Sequence, residues 1–158
     1  MQSQSLFSRA RVKFFHFYFL MKRPMTLGVR AMVLNEADNS VFLVRHTYVP
    51  GWYLPGGGVE RHETFRQALI KELQEEGNIE LTGEATLFSI YHNRHSSLRD
   101  HVALYVVRAF RQTAPRLPDR EIAECGFFPL DALPEGVTAS TLRRLDEVLM
   151  GGAVDELW

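Results

Sequence analysis

Three consecutive glycines, Gly56, Gly57 and Gly58, stand ahead of a glutamate-rich run that includes Glu63, then Glu72, Glu75 and Glu76. Carboxylates in such number usually line a solvated helix face. Held inward, they repel one another at i,i+4 spacing and are driven toward protonation or toward a cation. Hard divalent ions take oxygen ligands, and Mg²⁺ in particular keeps waters and joins substrate phosphates to one or two protein carboxylates. That chemistry suits hydrolysis of a phosphoanhydride, where charge must be neutralised and a water activated. Glycines just before such a cluster let backbone groups approach a ligand without side-chain obstruction.

The element that must position these acids is a helix. From Thr64 to Gly77 the sequence holds good helix formers and no proline. At about 100° per residue, Phe65, Ala68, Leu69 and Leu73 share one sector, while Thr64, Gln67, Lys71 and Gln74 take the opposite, solvated side. Glu72 and Glu76 fall inside the apolar sector, with Glu75 on its flank. The solvated face is already occupied, so the surface explanation loses force.

Around this helix the chain reads as one mixed α/β domain. TLGVRAMVLN, after Pro24, has the composition of a buried strand; Asp38-Asn39-Ser40 turns the chain and VFLVRH returns. WYLPGG is a short strand running into the glycines. Further strands are expected at about 85–93, at about 101–110 and over ECGFFPL, and a last amphipathic helix from Thr138 to Met150. The expected division is an extension over 1–25, a domain over 26–152 and a tail over 153–158.

With 158 residues, 46% hydrophobic and 23% charged, the chain suits a single domain able to bury its own core. Its one cysteine, Cys125, excludes an internal disulfide framework and multi-cysteine zinc sites, and its setting in a hydrophobic run reads as inert packing. With no long apolar stretch, a cytoplasmic protein is expected. The net charge of −1 conceals an asymmetry: six of the 18 basic residues lie in the first 35 positions, which hold no acid. The remaining body is acidic and does not suit general nucleic-acid binding. The basic leader contains Phe14, Phe15, Phe17, Tyr18 and Phe19. That aromatic density leaves little polar face, which favours a helix docked on the domain or on a second subunit, making a homodimer plausible. A membrane-surface helix and a targeting peptide are the less favoured alternatives.

The segment from Gly57 to Ile79, GGVERHETFRQALIKELQEEGNI, resembles the Nudix box of the Nudix hydrolase superfamily. Gly57 matches its first glycine, Glu63 its isolated glutamate, and Glu72, Leu73, Glu75, Glu76 and Ile79 its later core. WYLPGG and FFPLDALP resemble sequences that commonly flank the box, and the likeness covers roughly residues 27–150. Three positions depart from the pattern. Lys71 replaces an arginine and loses its bidentate fork. Gly77-Asn78 displaces the glycine near the helix end, where Asn still tolerates a left-handed cap. His62 stands where many relatives have glycine.

The resemblance implies an α/β/α sandwich with a mixed central sheet, and cleavage of a nucleoside diphosphate linked to another group with Mg²⁺ or Mn²⁺. By the same resemblance Glu72, Glu75 and Glu76 hold metal, assisted by the Gly57 or Gly56 carbonyl. Glu72 or a later glutamate acts as general base, Glu121 ahead of Glu124. A substrate phosphate could meet Arg30 or Arg45, on strands expected to border the site, with structural pairing to an acid the equal alternative; a nucleobase could stack on Trp52 or Tyr91, although aromatics near strand ends are more often core. Tyr91-His92-Asn93-Arg94-His95 is a candidate substrate-contacting loop. The rival from another class is a module that binds nucleotides without cleaving them.

Overall fold

Thr26–Asn35 forms β1 and Ser40–His46 forms β2, joined by a turn in which Asn39 takes φ 51°. These and the elements below come from a computed structural model that describes residues 24–158 together with Phe15, Tyr18, Phe19, Met21 and Lys22. The five isolated positions are helical, but most of the expected extension over 1–25, with its docking, dimer and membrane alternatives, lies outside the described residues. Helix α1 is Phe65–Gly77 and α2 is Ala139–Met150. The remaining strands are β3 (Ile79–Leu81), β4 (Thr86–His92), β5 (Asp100–Val107), β6 (Phe110–Gln112) and β7 (Ile122–Pro129).

A five-stranded sheet runs in the order β4-β5-β1-β2-β7. β1 pairs in parallel with β5 and antiparallel with β2, so the sheet is mixed. Its central strands are buried on both faces, which explains the apolar run Ala31–Leu34 of β1. Successive side chains alternate: Val29, Ala31 and Val33 join a core with Ala68, Leu69 and Leu73 of α1, while Met32 and Leu34 join another with Leu145 of α2. Each fully buried Leu or Val contributes about 1.5–3 kcal/mol. The expected helix–sheet–helix sandwich is therefore present, with one helix on each side.

Several details differ from expectation. β3 and β6 form a separate two-stranded ribbon that sequence reading did not anticipate. Trp52 and Tyr53 make only isolated bridges, to Val137 and Val44, rather than a strand. The segment expected as a tail pairs back on the domain: Leu157 bridges His92, and the Trp158 N–H donates to the His92 carbonyl at 3.2 Å. No helix of the described residues is long and apolar enough to cross a membrane.

Candidate active site

The glycine loop is strapped to β1. Val29 N–H donates to the Gly57 carbonyl at 2.9 Å and Ala31 N–H to the Pro55 carbonyl at 2.9 Å. Gly56 takes φ 141°, and a Cβ there would collide with the Val29 carbonyl, so only glycine fits. A Cβ on Gly57 would overlap the Glu72 carboxylate, which lies against this backbone. The loop and the start of α1 are closed locally. Thr64 caps the helix in a reciprocal capping box with Gln67, and Glu63 accepts the Glu60 N–H at 2.9 Å. That bond, followed by the Lys71 contact, holds the Glu63 carboxyl below its usual range. Lys71 Nζ reaches Glu63 at 3.3 Å and Glu72 at 3.8 Å, standing in for the box arginine as a point charge. Burial pulls the Lys71 ammonium down, but the surrounding carboxylates outweigh it and its pKa is raised. At the other end Asn78 adopts the left-handed cap, φ 52°, as its residue type allowed. His62 is also left-handed, at φ 66°.

The helix turns its acids inward as the periodicity predicted. Glu76 is buried, Glu72 half-buried and Glu75 exposed. Glu76 Oε2 accepts the Gly56 N–H at 2.7 Å, yet burial dominates and pushes its pKa up to about 7. Burial likewise raises Glu72, against the opposing charge of Lys71. Arg30 donates to the Gly56 carbonyl and its charge is felt at both glutamates. The Gly56 residue is thus held from two sides, by Glu76 on its N–H and by Arg30 on its carbonyl.

Glu72, Glu75 and Glu76 line a cavity of about 430 Å³ with Arg116, Asp119 and Glu121. Glu121 is exposed there, immediately before β7, and its carbonyl is tied to Thr47 N–H at 2.9 Å. Arg116 is fully engaged: Nε donates to the Glu75 carbonyl at 2.7 Å, and another nitrogen pairs with Asp119. Asp119 accepts the Glu121 and Ile122 N–H groups at 2.8 Å each, and these bonds hold its pKa down at about 2. Three contributors escaped sequence reading: Arg116, Asp119 and His46. A bulge between Arg45 and His46 re-aims the imidazole, whose Nε2 comes within 3.8 Å of Glu76. Burial and then the charge of Arg30 lower the His46 pKa.

Other candidates are placed elsewhere. Tyr91 is completely buried and donates to Glu147 Oε2 at 2.8 Å, so it cannot stack on a base. Trp52 is buried against Phe128, ring centroids 4.7 Å apart, and is core for the same reason. Arg45 is exposed and paired with Glu124 at 2.6 Å across the β2–β7 register, which removes both from the cavity. Cys125 is half-buried beside the α1-side core, and burial raises its thiol, in keeping with inert packing. Arg30 instead borders a second cavity, of about 450 Å³, with Asn93, His95, the start of α2 and the aromatic rings of Tyr53 and Trp158.

Among the described residues no three His, Cys, Asp or Glu side chains already form a metal cage. The donor set nevertheless fits a hard divalent ion: oxygen ligands only, two of them desolvated carboxylates, beside a loop where any Cβ would intrude. Mg²⁺ needs few protein carboxylates because it retains waters. The Gly57 carbonyl, already accepting from Val29 N–H, keeps a second lone pair.

Comparison with known proteins identifies the family. A NUDIX domain family model matches residues 24–148. The chain is 37% identical over 79 residues to an 8-oxo-dGTP diphosphatase of Proteus vulgaris, covering 46% of this chain and 70% of that protein. A MutT NUDIX hydrolase from Burkholderia pseudomallei superimposes with a TM-score of 0.66 at 28% identity, over 78% of this chain and 97% of the other. An ADP-ribose pyrophosphatase from Streptococcus suis shares the fold at 23% identity, TM-score 0.62, over 82% of this chain and 96% of the other. The box residues, the sandwich and these relatives together establish that the chain belongs to the Nudix family and is a Nudix pyrophosphohydrolase.

Proposed function

We propose that the acidic cavity cleaves a phosphoanhydride in a nucleoside diphosphate linked to a second group, with Glu72, Glu75, Glu76 and the Gly57 carbonyl holding Mg²⁺ or Mn²⁺. The observation that carries this reading is Glu76: a carboxyl buried deeply enough to titrate near 7, with no Lys or Arg nitrogen within ion-pair distance among the described residues. A carboxylate kept there at neutral pH calls for a cation closer than any Lys or Arg of the described residues comes. The ion, when bound, neutralises phosphate charge and lowers the pKa of a water.

The chain's own residues do the rest. Lys71 holds Glu63 and steadies Glu72. Arg30, fixed on the Gly56 carbonyl, offers its remaining guanidinium donors to a phosphate oxygen. Glu121 takes the proton of the attacking water, because it opens into the cavity without an ion-pair partner among the described residues. Glu72, packed on Gly57 and near Lys71, is the less free alternative. Water oxygen then bonds to phosphorus, the bridging P–O bond breaks, and the two phosphorylated halves separate.

Product analysis tests the reading on 8-oxo-dGTP, ADP-ribose, a nucleotide sugar and a dinucleoside polyphosphate, with Mg²⁺ and then Mn²⁺. Wild type should turn over at least one class, and a Glu72→Gln, Glu76→Gln double variant none. Equal turnover by both proteins, or none by wild type, would overturn it.

A further inference from the structure

Residues 155–158 form a strap along the edge strand β4. His92 N–H donates to the Glu156 carbonyl at 2.9 Å and Trp158 N–H returns to the His92 carbonyl at 3.2 Å, the pattern of an added parallel strand. From α2, Arg144 donates to the Leu157 carbonyl at 2.9 Å and to Glu147 Oε1 at 2.6 Å. The same Oε1 accepts the Asp155 N–H at 3.1 Å, while the Tyr91 hydroxyl donates to Oε2. Arg144 is wholly buried, and its guanidinium lies over the Tyr91 and Trp158 rings, 4.1 and 5.5 Å from their centroids. A buried ion pair adds little stability over apolar packing of the same volume; what it can supply is one fixed geometry. The geometry fixed here is that of the strap, and the ring the strap carries is Trp158.

Trp158 lines the second cavity with Tyr53, Leu54 and the start of α2. Both arginines of that lining, Arg30 and Arg143, are already engaged. Arg143 donates to the main-chain oxygen of Trp158, the last residue of the sequence, at 3.0 Å. Arg30 is fixed on the Gly56 carbonyl, and its remaining donors serve the scissile diphosphate. The rest of the lining offers the Trp158 and Tyr53 rings, with the polar side chains of Ser140 and His95 beside them. A flat ring with hydrogen-bonding edges suits such a wall: its face packs on an aromatic and its edge meets polar groups. We propose that Trp158 is a specificity-determining residue, the platform on which the substrate's nucleobase stacks. Arg30 lines this cavity while its charge is felt at Glu72 and Glu76, so a single nucleotide can place its diphosphate at Arg30 and its base at Trp158. The inference rests on the hydrolase reading for where the diphosphate lies; the strap and the position of its indole stand by themselves.

The test titrates AMP, GMP, CMP and UMP by calorimetry with Ca²⁺ supplied, against ribose 5-phosphate, which keeps the sugar and phosphate and lacks the base. The preferred nucleotide should bind wild type about 10-fold or more tighter than ribose 5-phosphate. Trp158→Leu, which keeps apolar bulk but no ring, should cut that ratio to about threefold or less, and Trp158→Ala should cut it as well. Of the two tryptophans, Trp52 is buried in the core, so a fluorescence change on nucleotide binding reports Trp158. Nucleotide should quench wild-type emission, ribose 5-phosphate should not, and both variants should lack the quench. Thermal melts establish that the variants fold; one variant that folds is sufficient for the comparison. Equal affinity for nucleotides and ribose 5-phosphate, a ratio that survives in a folded variant, or emission unaltered by nucleotide would overturn the proposal. Base-dependent binding without turnover of any diphosphate would instead count against the hydrolase reading and leave Trp158 assigned.

Discussion

The two cavities are nearly equal in volume and opposite in charge, and they are built in opposite ways. The acidic one takes three of its carboxylates from consecutive turns of α1, closed by a single loop, Arg116 to Ile122. The basic one is assembled from β1, the Tyr53-Leu54 segment, the turn after β4, the start of α2 and Trp158. A site supplied by one helix inherits its geometry from local periodicity. A site gathered from five segments depends on the whole sheet order. Gly56, held by Glu76 on its N–H and by Arg30 on its carbonyl, joins the two.

The largest effect that would separate the cavities is expected from Glu76→Gln. Gln keeps the shape and can still accept the Gly56 N–H, but it removes the charge, and hydrolysis should fall by roughly 10²- to 10³-fold. Stability should move the other way. Because the folded-state pKa of Glu76 is raised from 4.5 to about 7, its proton favours folding fully below 4.5, and that contribution is lost as pH rises through about 7. Metal-free wild type should therefore lose thermal stability between those values. Glu76→Gln should lack this component and be more stable at pH 8 by on the order of 1–3 kcal/mol. Melts in chelator across the pH range check both statements.

Gly56→Ala attacks the joint itself. The added methyl meets the Val29 carbonyl at a positive φ, so unfolding in urea should show a loss of roughly 3 kcal/mol or more. His62→Gly should relieve a left-handed non-glycine residue and raise stability by about 1 kcal/mol, read by the same titration. The smallest effect is expected from Arg45→Ala. Its pair with Glu124 is exposed and lies outside both cavities, so the change should cost no more than about 1 kcal/mol and leave turnover unaltered.

Sequence reading reached the acidic cavity because a rule was visibly broken there: Glu72 and Glu76 occupy the apolar sector of a helix whose polar sector was already filled. Asn78 was legible for a similar reason, since few residue types accept a left-handed cap. His46 was not, because a bulge in a pairing between β2 and β7 aims it at Glu76. Arg116 and Asp119 lie in a loop whose position relative to α1 has no local signature. Trp52 and Tyr91 stayed open between stacking surface and core because aromatic type alone does not separate the two; burial does, and makes both core. β3 and β6 were missed because three-residue strands show no periodicity, and their partners lie some thirty positions apart.

The central claim is that the inward carboxylates of α1 are metal ligands. A Mn²⁺ titration followed by electron paramagnetic resonance, at pH 8 with wild type and with Glu72→Gln and Glu76→Gln, tests it most directly. The account predicts saturable binding by wild type and at least roughly 10-fold weaker binding by each variant. Equal Mn²⁺ affinity in all three proteins would contradict it and place the ion elsewhere.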